Sequence, residues 1–181
     1  MSEKKESILF GSGDIYVLPE SVDLDTSTDA EIEAAMIKIG ESSGEAQLTH
    51  TQEWHEVKGG AQNNAIAAFV TSEDVIFNGG ICTFDFKAIN EITATYYSED
   101  ETKRTMGIGG KLNVPVKQML FVHTKRTDGK KIKLKMYRAQ NRSGMQLTFS
   151  PESESVFNFE IKLLADPTRE NGNVVKIEEE L

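Results

Sequence analysis

The chain has 181 residues, 38% hydrophobic and 27% charged, an ordinary balance for a folded domain with one sizeable core. Its net charge of −9 argues against a nucleic-acid-binding surface, because phosphate contacts need clustered lysine and arginine. One cysteine rules out an internal disulfide, no apolar run approaches the ~20 residues of a membrane helix, and MSEKKES lacks a secretory apolar segment, so a chain made and kept in a cytosol, or assembled there, is expected.

The first informative stretch is ILFGSGDIYVLP, residues 8–19. Gly11 and Gly13 flank a serine after an apolar run. A P-loop spaces its glycines more widely and continues with Lys and Ser/Thr, whereas Asp14 follows here, and a carboxylate repels phosphate. A dinucleotide fingerprint needs a third glycine and a helix, yet IYVLP reads as a strand ending at proline. The spacing therefore predicts a backbone bend at a place where a side chain would clash, followed by a strand. GIGGKL at 107–112 fails the phosphate test for want of Ser/Thr and a helix.

Residues 20–45 carry eight acids against Lys38 alone. Within them TSTDAEIEAAM can hold a short turn of helix with Thr28 and Glu31 as a capping box, and AAMIKIG has strand character. EAQLTHTQEWHEV alternates only weakly and is polar on both faces, so it must be solvated or line a wet surface; AIAAFV reads as a returning strand. FKAINEITATYY puts Ala88, Ile89, Ile92 and Tyr96 at helical spacing behind an Asp85 cap, which predicts a helix over about 86–97, although the β-branched ITAT also suits a strand.

Residues 115–164 read as a four-stranded antiparallel meander. VKQMLFVHT leads to a two-residue turn at Asp128–Gly129, after which Ile132, Leu134 and Met136 alternate with Lys131, Lys133 and Lys135. Met145, Leu147 and Phe149 alternate before a turn at SPESE, and Phe157, Phe159, Ile161 and Leu163 alternate strictly with Asn158, Glu160 and Lys162. Turns at Ala165–Pro167 and Asn171–Asn173 introduce a last short strand at 174–181.

No catalytic constellation emerges. His50 and His55 fall on opposite faces of a strand and His123 stands apart, so no shared metal is expected. Cys82 reads as a buried inert thiol. The carboxylate pairs sit in turns, where solvation is the default. The basic run from Lys125 to Lys135 admits three readings: anion binding, edge lysines that block aggregation, or complementarity to the acidic 20–45 block of another copy.

In order, ILFGSGDIYVLP, MIKIGESSGEAQLTHTQEWHEV, AIAAFVTSEDVIFNGGICTFDFKAINEI, VHTKRTDGKKIKLKMYRA and SVFNFEIKLLADPTRENGNVVKIEE resemble the major tail (tail tube) protein of long-tailed bacteriophages along essentially the whole chain. The resemblance implies one mainly β domain over 1–181: two packed antiparallel sheets (a β-sandwich or half-barrel), a flanking helix, an N-terminal arm at 1–10 and a long hairpin at about 46–78. The 20–45 region is longer and more acidic than a minimal tube subunit needs. The resemblance further implies hexameric rings stacked into a virion tail tube, assembled in the host bacterial cytoplasm. Its partners would be further copies, a tape-measure protein, a tail terminator and distal tail or baseplate proteins. DNA would pass an acidic lumen without specific binding; no membrane, cofactor or enzymatic activity is implied. Candidate contacts between copies are Phe10, Gly11, Gly13, Tyr16, Trp54, His55, Lys131, Lys133 and Lys135, with Trp54 equally readable as a core residue. The alternatives are a monomeric β-sandwich binding or decoration module, and a hydrolase using scattered carboxylates.

Overall fold

Alternating apolar and polar side chains make most of the chain antiparallel strand. The computed structural model describes residues 12–146, 152 and 155–180. In chain order these form β1 (Asp14–Leu18), α1 (Asp29–Ala35), β2 (Ile37–Lys38), β3 (Ser42–Gly59), β4 (Asn64–Ile81), α2 (Phe86–Ile92), β5 (Thr95–Glu99), β6 (Arg104–Ile108), β7 (Lys117–Thr124), β8 (Lys131–Asn141), β9 (Phe157–Leu163) and β10 (Val175–Glu179). The expected mainly β class holds, with unequal sheets. One antiparallel sheet of eight strands runs β2-β1-β7-β8-β9-β4-β3 with β10 beside β8, and β5 and β6 form the second. Met106 of β6 packs on the main core.

The large sheet is rolled. β4 and β7 stand three places apart in the strand order, about 14 Å in a flat sheet, yet the rings of Phe77 and Phe121 are 5.4 Å apart. The chain also steps from β2 at one border to β3 at the other between Lys38 and Ser42, a reach of at most about 14 Å. The Ile39 N–H donates to the Ile15 carbonyl and the Cys82 N–H to the Glu41 carbonyl, so this short segment clasps both borders. Inside the roll, Ile15, Phe77, Met119, Met136, Phe157 and Ile161 pack with Ile89 and Ile92 of α2. On the outside, Leu18, Leu120 and Tyr137 receive Leu24 and Ile32 from the segment that carries α1.

Several expectations are met in detail. β9 buries Phe157, Phe159, Ile161 and Leu163 and turns Asn158 and Glu160 outward. α1 has the expected capping box: the Thr28 hydroxyl accepts from the Glu31 N–H and Glu31 accepts from the Thr28 N–H. Gly13 is the expected tight place. A Cβ there would lie 2.5 Å from the Val122 carbonyl oxygen and 2.6 Å from the Phe121 ring, and the adjacent Ser12 carbonyl accepts from His123 Nδ1 at 2.8 Å. Gly13→Ala is therefore expected to cost about 1–3 kcal/mol, measurable as a lower denaturant midpoint, because the obstacle is strand backbone that cannot step aside.

Other expectations are corrected. The helix stops at Ile92 instead of running to 97, because the Thr93 hydroxyl donates to the Ile89 carbonyl and shares a hydrogen bond with Thr95. Tyr96 lies on β5, exposed. AAM of AAMIKIG closes α1, leaving only Ile37–Lys38 as strand. The turn between β7 and β8 covers residues 125–130: the Lys125 N–H donates to the Lys130 carbonyl and the Gly129 N–H to the Lys125 carbonyl, with Gly129 at φ +72°. Of the meander, β7, β8 and β9 are present; Met145 is outside any strand, and Leu147 and Phe149 lie outside the described residues. Cys82 is half-buried, its thiol directed at the Glu41 and Ser42 carbonyls. The terminal strand is Val175–Glu179, and residues 1–10, the expected arm, lie outside the described residues.

Candidate assembly surface

β3 and β4 form a hairpin of two 18-residue strands, about 60 Å long, closed by a turn at 60–63. It is longer than the 46–78 read from the sequence. Only its root belongs to the body: Val75–Ile81 of β4 pairs with β9, and Ala46 and Leu48 pack on the core. From Thr49 to Glu73 nearly every residue is exposed, and among the described residues neither outer backbone edge of this ribbon has a partner strand. An isolated two-stranded hairpin is marginal in water.

The ribbon also carries apolar side chains on both faces. Trp54 stands opposite Val70 on one face; His55 faces Phe69 and Val57 faces Ala67 on the other. Trp54 is 59% and Phe69 61% exposed, and Val57, Ile66 and Val70 are exposed too. The reading of Trp54 as a core residue is thereby overturned. Register shifts beside Trp54 and Lys58 re-aim the outer half and increase its twist. Glu53, Glu56 and Glu73 keep the ribbon acidic around Lys58.

The lysine stripe of β8 is met within the chain. Lys133 Nζ lies 2.9 Å from Asp29 and Lys131 Nζ 3.5 Å from Glu33, both on α1. Lys135, 9% exposed in its side chain, meets Glu178 at 2.8 Å and Asp25 at 3.8 Å. Arg169 adds a clamp, holding Asp23 at 2.7 Å and Asp25 at 2.9 Å while its guanidinium lies 4.6 Å from the Tyr137 ring centre. The acidic 20–45 block thus supplies a strap across the outer face of β8, and the complementarity read from the two charge blocks is satisfied in one copy. Tyr16 is half-buried beneath that strap, its phenol pushed upward by burial first and then by Asp14.

These pairs set an acid response. Hydrogen bonds from Arg169 and from the Asp25 backbone hold the Asp23 carboxyl at about 2. Burial works to raise Asp25, but the Tyr137 hydroxyl and Lys176 outweigh it and its carboxyl is lowered; Lys133 lowers Asp29. A carboxyl depressed on folding stabilises the fold above its unfolded value, about 4, and that contribution fades as pH falls through the folded value. The strap is expected to loosen between about pH 4 and pH 2, read as faster amide exchange at Asp23–Glu33 with β7 and β9 still protected. Exchange at the strap unchanged down to pH 2 would contradict this.

The other sequence candidates are placed as follows. His55 lies exposed on the ribbon, Gly13 is packed against β7, and Phe10 and Gly11 lie outside the described residues. The sequence reading passed over Phe69 and Ile66; the signal was their position in AIAAFV beside a strand too polar to be buried. Among the described residues no group of three or more His, Cys, Asp or Glu is placed to hold a metal ion, and no helix is long and apolar enough to cross a membrane. An open groove of about 620 Å³ on the outer face of β3, β4 and β9 is lined by Gln47, Asn78, Ser143, Gln146, Asn158 and Glu160. In comparisons with known proteins, no family model and no curated protein matches the chain.

Proposed function

We propose that the chain is a structural subunit that polymerises with itself, of the kind that builds the tail tube of long-tailed bacteriophages. The observation that carries this reading is the ribbon between Thr49 and Glu73, with both backbone edges open and apolar residues on both faces. Ribbons from sister copies, laid side by side, complete each other's hydrogen bonding, and closure into a ring removes the exposed edges that endanger a lone sheet. An aromatic pair left in water on each copy becomes the anchor of the contact.

In this reading the ribbons surround a lumen whose glutamates repel DNA and let it pass. The tape-measure protein, the terminator and the distal tail proteins are the partners implied by the resemblance. A monomeric binding module is supported less well, since the exposed aromatics form no platform: Trp54 and Phe69 lie on opposite faces of the ribbon and Tyr96 on the other sheet. Electron micrographs of the purified chain, with mass measured over rising concentration, test the proposal. Rings or tubes are the expected result. A chain that stays monomeric at high concentration and in the presence of the other tail proteins overturns it.

A further inference from the structure

β10 occupies a place that the rest of the sheet leaves open. β9 pairs with β8 only at Ala139–Asn141, so the β8 edge from Ile132 to Met136 has β10 as its neighbour on that side. The hold on β10 is mostly polar. Val175 is half-buried against the core, whereas Ile177, opposite Leu134, is 60% exposed. Charge supplies the rest: Lys125 Nζ to Glu179 Oε1 at 2.8 Å, Lys135 Nζ to Glu178 Oε2 at 2.8 Å, and a reciprocal bond in which the Lys131 N–H donates to the Glu180 carboxylate and the Glu180 N–H to the Lys131 carbonyl. Lys125, 4% exposed in its side chain with β10 in place, has Glu179 as its nearer carboxylate and Asp128 at 3.4 Å as its second, so emptying the site removes the shorter of its two ion pairs. The edge, with Lys125, Lys131 and Lys135 along it, suits an acidic strand from whichever chain supplies one.

Just upstream lies a pivot. Asn171 and Gly172 both take left-handed φ, +56° and +109°, immediately after the stretch that Arg169 anchors through Asp23, Asp25 and Asp166. A rotation there frees β10, breaking the Asp166 N–H to Asn173 carbonyl bond and the Lys176–Asp25 pair while the Arg169 clamp on Asp23 and Asp25 stays closed. We propose that the β8 edge is an exchange site between copies, which takes the C-terminal strand of a second chain in place of its own. Every contact made in one copy is available between two, since the sequences are identical. Only the tether separates the two arrangements, and crowding of copies favours the exchanged one. The inference needs two copies and no tube, and so stands apart from the preceding proposal.

Reciprocal charge reversal tests it. Lys125→Glu in one chain and Glu179→Lys in another each set like charges together at the same contact. Alone, each variant is expected to exchange the Val175–Glu179 amides at least tenfold faster than the unaltered chain, with β1 and β7 unaffected. Mixed in equal amounts they are expected to give a species of twice the mass, with β10 protection restored, because each strand now meets its complement on the other chain. A mixture that behaves as the average of its parts overturns the inference. Should either variant fail to fold, chains that keep every charge decide it. With Cys82→Ser as background, Leu134→Cys and Ile177→Cys on separate chains, mixed and oxidised with diamide, are expected to yield a disulfide-linked heterodimer. Its absence after prolonged mixing also overturns the proposal.

Discussion

On the proposed assembly, a chain carrying Trp54→Asp together with Phe69→Asp is expected to remain a folded monomer under any conditions where the unaltered chain assembles. Both side chains are more than half exposed in the single copy, so folding stability should change by about 0.5 kcal/mol or less. An assembly that covers them is a different matter. A fully buried aromatic removes about 150–250 Å² from water; the three-fifths of it still exposed here is about 90–150 Å², worth about 2–4 kcal/mol per side chain at about 25 cal/mol per Å² before ordering costs, and an aspartate there adds an unpaired charge. A loss of about 4 kcal/mol per contact is about a thousandfold in affinity. The two residues lie on opposite faces, so the single variants tell whether the ribbon is covered on one side or on both. Sedimentation and micrographs read the outcome, and thermal melts confirm folding. Assembly by the double variant at the normal concentration would remove the ribbon from any role in it.

Phe77→Ala is expected to do the reverse, striking the fold of the single copy. Phe77 is 1% exposed and meets Phe121 across the interior of the roll, where β4 comes back over β7. Removing such a ring costs about 3–5 kcal/mol in lost transfer and cavity energy. For a chain of this size that corresponds to a fall in Tm of about 6–20 °C, checked by calorimetry or denaturant melts. Phe69 on the same strand is the control: its replacement by alanine should leave the melt almost unmoved. Equal effects at the two positions would mean that the ribbon is already buried in the single chain.

What the sequence disclosed followed from local chemistry. Strict alternation marked β9, and Thr28 with Glu31 announced the start of α1 because a capping box is written within four residues. The double-sided polarity of EAQLTHTQEWHEV excludes it from a core, and the strand it forms is one exposed half of the ribbon. Failures came where a local signal met a competitor. Thr93 and Thr95 offered hydroxyls that ended α2 early, and Asp128–Gly129 lay inside a wider turn because Lys125 and Lys130 closed it. Partnership over distance was unreadable. Lys133 and Asp29 are 104 positions apart, and two opposite charge blocks look the same whether they meet in one chain or between two. Their meeting in one chain takes the lysine stripe out of the grounds for the proposed self-association and leaves the ribbon as its principal ground.

The segment that clasps the rolled sheet between Lys38 and Ser42 is also the foot from which the ribbon springs. A hoop whose buckle doubles as its handle cannot be gripped without being tightened. Whatever immobilises the ribbon from outside restricts the separation of the two borders, and so hinders the unrolling with which the body would begin to open. If a neighbour engages the ribbon as proposed, resistance to unfolding should rise with that engagement.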